Sequence, residues 1–262
     1  MKLTASQIAE LAEYLESAHL ERHEVVKITD RYPDIDIKDA YAIQNKIKER
    51  KLARGEIIVG LKCGLTSYAK MRQMGVETPI YGFMTDSYVV QDASEIKMSD
   101  LIHPKIEPEI AFFLKAPLRG PGCHIGNVLA ATDFVMPAIE VIDSRYLDFK
   151  FDLVSVIADN TSATRFIVGG KATSVKDLDL ATLGVVLEKN GRVEMVGAGA
   201  AVVGHPATAV AMLANHLAES GEEIPAGAII LSGGITEAIP VQAGDSISLQ
   251  VQSLGGVSVR FV

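Results

Sequence analysis

Ile106-Glu107-Pro108-Glu109-Ile110, continued by Ala111-Phe112-Phe113-Leu114, sets two carboxylates two positions apart in an otherwise apolar run. Successive side chains of a strand point to opposite faces. An extended backbone here puts Glu107 and Glu109 on one face, with Ile106, Pro108 and Ile110 on the other. Like charges side by side in an apolar setting are costly unless a cation lies between them, so the stretch calls for a fold that brings a cation to that face. Pro108 lacks an N–H and predicts an edge or irregular strand at this point.

Two further apolar segments each carry a charge of interest. Ile57-Ile58-Val59-Gly60-Leu61-Lys62-Cys63-Gly64-Leu65-Thr66 reads as a short strand holding one lysine. Lys62 is either an edge or snorkelling residue or a functional ammonium matched by nearby carboxylates. Phe134-Val135-Met136-Pro137-Ala138-Ile139-Glu140-Val141-Ile142-Asp143 reads as a second strand with Glu140 among apolar neighbours. Each glutamate alone could be an exposed strand residue. Taken together, Glu107, Glu109 and Glu140 form an oxygen-only donor set, which suits a hard cation, Mg²⁺ or Mn²⁺. No paired-His or Cys-rich motif points to zinc. Three carboxylates and one divalent ion leave a single negative charge, which Lys62 would neutralise. If Lys62 faces the cluster, its ammonium is held charged by the carboxylates while burial pulls the other way, an expectation of proximity that the sequence alone does not show.

The first 55 residues read as helical. Thr4 or Ser6 caps a helix with Ile8, Leu11, Leu15 and Leu20 on its apolar stripe. A second helix starts near Asp36–Asp39, carries Ala40, Ile43, Ile47 and Leu52 on one face, and stops at Gly55. Both look like packing elements without chemistry. Residues 56–262 read as a β-rich core. A short helix spans Ser67 to Gly75, and Thr78-Pro79-Ile80-Tyr81-Gly82 reads as a loop. Another helix covers Asn127 to Ala131. Asn190-Gly191 marks a hairpin, and Pro206 opens a helix that Gly221 closes. Alternating stretches over Ser246–Gln252 and Val257–Val262 end the chain. With no repeat or low-complexity linker, residues 1–262 read as a single domain.

Two polar clusters have open readings. Asp159-Asn160-Thr161-Ser162, after a β-branched run, either lines a pocket or forms an Asx or Ser/Thr turn. Ser232-Gly233-Gly234 either presents backbone N–H groups to a substrate carboxylate or is a plain bend. His103, His124 and His205 lack metal-ligand spacing and read as turn or packing residues. Cys63 and Cys123 have no local base and form no disulfide framework. The glycine-rich segments lack dinucleotide or phosphate-loop spacing. A net charge of −8 argues against nucleic acid. The acidic, amphipathic start is no signal peptide, and no apolar run reaches membrane-spanning length, so a soluble cytoplasmic protein is expected.

The chain resembles the fumarylacetoacetate hydrolase superfamily, in the branch that holds 4-oxalocrotonate decarboxylase and 2-hydroxypentadienoate hydratase. Carrying the likeness are Val59-Gly60-Leu61-Lys62-Cys63-Gly64-Leu65-Thr66-Ser67, Gly75-Val76-Glu77-Thr78-Pro79-Ile80-Tyr81-Gly82 and His103-Pro104-Lys105-Ile106-Glu107-Pro108-Glu109-Ile110. Further on are Glu140-Val141-Ile142-Asp143-Ser144-Arg145-Tyr146, Ala158-Asp159-Asn160 and Gly233-Gly234-Ile235-Thr236. The resemblance implies an α+β fold around a strongly curved mixed β-sheet, with a small helical N-terminal section. It implies Mg²⁺ or Mn²⁺ on Glu107, Glu109 and Glu140, Lys62 as the active-site lysine, and no organic cofactor. Assembly as a homo-oligomer, and a complex with the pathway hydratase, follow from the same likeness. Lys150-Phe151-Asp152-Leu153 and Ser162-Ala163-Thr164-Arg165-Phe166 look closer to the decarboxylase than to the hydratase, although the decarboxylase pattern Asn-Ala-Ser-Ser is here Asn160-Thr161-Ser162-Ala163. The implied activity is decarboxylation of the dicarboxylate 2-oxo-3-hexenedioate in meta-cleavage degradation of aromatic compounds. Candidates around the substrate are Met71, Met74, Ile80, Asp159, Asn160, Ser162, Gly234 and Thr236. The alternatives are the sister hydratase and, from a different class, a non-catalytic subunit of a pathway complex. The intact Glu107, Glu109, Glu140 and Lys62 argue against the latter.

Overall fold

The computed structural model describes residues 1–262. Helix α1 (Ala5–Glu21) starts at a capping box between Thr4 and Gln7 and buries Leu11 and Leu15. A short α2 (Ile28–Arg31) precedes α3 (Ile37–Ala53), which Asp36 caps and which buries Ala40, Ile43 and Ile47. Leu20 and Leu52, expected on these stripes, are 49% and 45% exposed. Each lies five residues past the last buried stripe leucine or isoleucine, which on a 3.6-residue period is the far side of the helix.

Strand β1 (Ile58–Gly64) leads to α4 (Tyr68–Met74), bounded by the Ser67 N-cap and by Gly75 in the left-handed region. Then follows β2 (Ile80–Thr85), antiparallel to β1. Ile80-Tyr81-Gly82, read as part of a loop, is therefore strand. The Gly82 signal comes from close packing and not from a turn, because a Cβ there would lie 2.4 Å from Thr161 Oγ1. Next come β3 (Val89–Val90), β4 (Ser94–Ile96) and the long β5 (Lys105–Leu114). His124 caps α5 (Ile125–Ala131), which runs into β6 (Thr132–Ile142). Asp152 caps α6 (Leu153–Ala158), so the β-branched run there is helical, and β7 (Ala163–Val168) follows. The hairpin of β8 (Gly184–Lys189) and β9 (Arg192–Ala198) turns on Asn190 and Gly191, at φ 55 and 72. His205 caps α7 (Pro206–Ala218), and the chain closes with β10 (Ile229–Leu231), β11 (Ile239–Pro240), β12 (Ser246–Val251) and β13 (Gly255–Phe261).

The strands form two sheets. A curved mixed sheet runs β2-β1-β10-β5-β6-β7-β3, with β11 also on β5, and a second sheet runs β4-β13-β12-β8-β9. Ile106, Ile110 and Phe112 of β5 pack with Val185, Leu187, Leu249 and Val257 in the main apolar core. Alternation leaves Glu107 and Glu109 on the opposite face. The N-terminal helices share a separate cluster with α6 and with Ile80, Phe83 and Tyr146. The architecture is α+β around a strongly curved mixed sheet.

Pro108 does not lie on an edge strand, since β6 pairs with β5 along its length and matches Pro108 with Ile139. The irregularity is on the other flank. There β10 ends at Ala111 and β11 resumes at Ile106, and the chain between them detours past Pro108. Ile235 N–H reaches the Pro108 carbonyl at 2.9 Å. A residue without an N–H suits the gap.

A candidate metal centre on one sheet face

The β5–β6 register sets Glu107 directly opposite Glu140. With Glu109 on the same face, the three carboxylates bring oxygens within 4.8 Å of one another. Glu109 and Glu140 are buried, while the Glu107 side chain keeps 12% exposure and opens toward solvent. One Glu109 oxygen, Oε2, accepts the Gly233 N–H at 2.6 Å; the other, Oε1, is buried without a partner. Gly233 approaches this closely at φ 99, a conformation that favours glycine.

Lys62 sits in β1 between β2 and β10, well inside the sheet, which rules out the edge-strand reading. Its ammonium lies 3.0 Å from Glu140 Oε2 as an ion pair lacking hydrogen-bond alignment, and donates to the Thr161 carbonyl at 3.2 Å. Burial pulls the ammonium pKa down, but Glu140, Glu107 and Glu109 outweigh it and hold Lys62 above the ordinary lysine value. Burial, then the charges of Glu140 and Glu107, push Glu109 well above the carboxylate range. Glu140 is also raised, by burial, with Lys62 opposing. An orphaned buried carboxylate oxygen, and carboxylates driven to hold protons, mark a site short of positive charge. Three oxygen donors without nitrogen or sulfur fit a hard divalent cation.

The Thr161 carbonyl is aimed by an unusual turn. Asn160, Thr161 and Ser162 all take positive φ, at 49, 51 and 59. Asn160 Oδ1 accepts the Phe83 N–H at 2.9 Å and its Nδ2 donates to the Phe83 carbonyl at 2.9 Å. In this way the amide stands in for a neighbouring strand at the edge of β2. Asp159 is buried against Arg145, which also donates to the Asp143 carbonyl at 2.7 Å. Burial raises Asp159 to about 6 against the pull of Arg145.

Two cavities flank α4. One of about 310 Å³ is lined by Lys62, Glu107, Met74, Ile80, Ser162 and Phe149, among others. The other, about 420 Å³, is lined by Glu107, Thr66, Gly234 and Thr236. A larger cavity of about 660 Å³ between α3 and the end of α7 contains none of the three glutamates. Of the sequence candidates, Met74, Ile80, Ser162, Gly234 and Thr236 line the two cavities at the cluster. Met71 is buried in the core, and Asp159 and Asn160 are engaged within the protein. Ser162 Oγ is buried without a partner. Gly234 permits close approach, since a Cβ there would meet Glu107 Cδ at 3.0 Å. Lys70, Lys105, Phe149, Phe151 and the Thr161 carbonyl were not singled out from the sequence. Lys105 and Phe151 lie in stretches that carried the family likeness and Thr161 in the polar cluster, but none of them had been given a role.

The fumarylacetoacetate (FAA) hydrolase C-terminal family matches residues 60–262. A 4-oxalocrotonate decarboxylase of Pseudomonas sp. (strain CF600) is 62% identical over 260 residues, 99% of this chain and 98% of the relative. A 2-hydroxyhexa-2,4-dienoate hydratase of Comamonas testosteroni is 40% identical, covering 89% of each. The solved 4-oxalocrotonate decarboxylase from Pseudomonas putida G7, complexed with magnesium and adipate, superposes with a TM-score of 0.98 at 59% identity, covering 100% of this chain and 99% of that one. By sequence and by architecture, the chain belongs to the fumarylacetoacetate hydrolase family.

Proposed function

We propose that the protein is a metal-dependent decarboxylase that converts 2-oxo-3-hexenedioate to 2-hydroxypenta-2,4-dienoate in meta-cleavage degradation of aromatic compounds. One observation carries the reading: three carboxylates and one buried ammonium converge beside a cavity of about 310 Å³. Identities of 62% and 60% over nearly the full length to two 4-oxalocrotonate decarboxylases, against 43% or less to the hydratases found, support the choice between the sister activities.

Glu107, Glu109 and Glu140 would hold Mg²⁺, with Mn²⁺ as the alternative. When bound, the ion supplies Lewis-acid stabilisation of negative charge developing at the substrate's C2 oxygen. The C5–C6 bond breaks, the distal carboxylate leaves as CO₂, and its electron pair passes through the C3–C4 double bond to the C2 oxygen. No electrons leave the substrate, so the chemistry calls for no organic cofactor. Lys62, kept charged by its carboxylates and fixed by the Thr161 carbonyl, would stabilise the growing charge and give a proton to the C2 oxygen, which completes the dienol. Met74, Ile80, Phe149 and Phe151 supply apolar wall that excludes water. Ser162 Oγ, buried and unpartnered at the wall, is free to donate to a substrate oxygen.

The experiment is Mg²⁺-loaded protein with 2-oxo-3-hexenedioate, following CO₂, beside water addition to 2-hydroxypentadienoate. CO₂ release supports the proposal, hydration alone selects the sister activity, and turnover of neither favours a non-catalytic subunit. The same reading includes cytoplasmic location, a homo-oligomer and contact with the pathway hydratase. The open edge strand β9, with Val193 and Val196 59% and 68% exposed, supports assembly, and light scattering tests it.

A further inference from the structure

Three lysines line the cavity of about 310 Å³ beside the carboxylates: Lys62, Lys70 and Lys105. Two have acidic neighbours, Lys62 at 3.0 Å from Glu140 and Lys70 at 3.8 Å from Glu107. Lys105 has none within ion-pair distance. It is half-buried, and its ammonium rests 4.1 Å over the Phe149 ring. Phe149 is in turn backed by the His103 ring at 5.1 Å, and His103 is fixed by Glu24 at 2.7 Å and the Ser144 carbonyl at 2.6 Å. The ring is a firm platform, but a cation over an aromatic face is weakly held, so the ammonium is free to turn to a better partner.

We propose that Lys105 is a specificity-determining residue that binds the distal carboxylate of the substrate. The inference rests on the decarboxylase reading for the identity of that substrate. Lys105, Glu107 and Glu109 alternate along β5 and share one face. Two residues of strand separate Lys105 from Glu107 by roughly 6.6 Å, comparable to the length of an extended six-carbon diacid. A substrate whose oxo-acid end lies at the glutamates thus points its far end along the strand toward Lys105. A divalent ion and Lys62 together balance the three glutamates, so the two substrate carboxylates fall to the remaining lysines of the cavity: Lys70, 3.8 Å from Glu107, at the oxo-acid end, and Lys105 at the far end. The contact belongs to the ground state. As the C5–C6 bond breaks the carboxylate becomes neutral CO₂ and the ion pair vanishes, while Lys105 keeps its protons. Lys105 therefore governs capture and choice of substrate more than the barrier.

The test is calorimetric binding of adipate and of hexanoate to the Mg²⁺-loaded protein, beside decarboxylation kinetics. Wild type is expected to bind the diacid at least about tenfold more tightly than the monoacid, as a charge-assisted contact implies. Lys105→Met should erase that preference and show its kinetic loss in KM more than in kcat, while Lys105→Arg should restore most of the preference. A Lys105→Met protein that still prefers adipate by the wild-type factor overturns the proposal. The unmodified protein gives a second check: succinate, glutarate and adipate should bind with increasing affinity, and equal affinities across the series also overturn it. Failure of wild type to release CO₂ would sink the decarboxylase reading alone, since Lys105-dependent preference for diacids is read by binding.

Discussion

Replacing Asn160 with alanine tests whether the left-handed turn at the site is held from the edge of β2. The side chain makes two buried hydrogen bonds of 2.9 Å to the Phe83 main chain. Its removal leaves a buried N–H and a buried carbonyl without partners, at about 1–3 kcal/mol each. Alanine must also occupy φ 49, which costs an L-residue roughly 1–2 kcal/mol and asparagine less. The sum is a destabilisation of about 3–8 kcal/mol, and a chain of this size loses about 2–4 °C in Tm per kcal/mol. Urea unfolding measures the first quantity and scanning calorimetry the second. Asn160→Gly separates the contributions, because it deletes the clamp but relieves the backbone, and should be about 1 kcal/mol more stable than Asn160→Ala. The turn aims the Thr161 carbonyl at Lys62, so decarboxylation should fall in both variants even at temperatures where they remain folded. An Asn160→Ala protein within about 1 kcal/mol of wild type, with an unchanged rate, refutes the reasoning.

Lys62→Met should lower decarboxylation by about 10²–10³ or more while Mg²⁺ titration still finds a site; an active variant would remove Lys62 from the mechanism. Gly234→Ala places a Cβ 3.0 Å from Glu107 Cδ, and should weaken Mg²⁺ affinity with little change in circular dichroism; unaltered affinity would show that Glu107 has room to move or is no ligand. Glu56 offers a pH test. Burial pushes its carboxyl up, but the Ser87 and Thr85 hydroxyls and Lys51 outweigh this and bring it to about 2. A depressed carboxylate stabilises the folded chain above its unfolded pKa of 4.5 and loses that contribution as pH falls toward 2. Glu56→Gln should therefore reduce stability at pH 7 and flatten its decline between pH 5 and 2, as read by urea midpoints across that range; parallel curves for the two proteins would contradict the assignment.

Strand alternation was enough to put Glu107 and Glu109 on one face, because that follows from local period; charge balance only suggested Lys62 as their partner, and its 3.0 Å approach to Glu140 depends on how β1 lies against β6 across the sheet. The pairing of Glu107 with Glu140 was not legible, since register depends on how two distant segments align. Asn160 looked like an ordinary turn residue, and in conformation it is one. Its grip on Phe83 lies 77 positions away and leaves no local trace. Gly82 misled in the opposite direction: a glycine after Pro79 reads as a turn, yet its job is to let Thr161 approach β2. Leu20 and Leu52 were errors of phase on helices otherwise read correctly. Phe149 and Phe151 sit in an irregular segment where no periodicity announces a pocket wall.

The long reach of the site's contacts bears on how the chain folds. Lys62 meets Thr161 across 99 positions and Gly233 meets Glu109 across 124, and the β1–β10 pairing that seats Lys62 is parallel, joining Gly60 to Ile229. Closing loops of this span precedes any gain from the contacts themselves, so high contact order slows the search and leaves the carboxylate cluster among the last features to assemble. A divalent ion that recognises only the finished cluster then acts on the unfolding side. It prolongs the life of the native state through mass action and does little to hasten its formation.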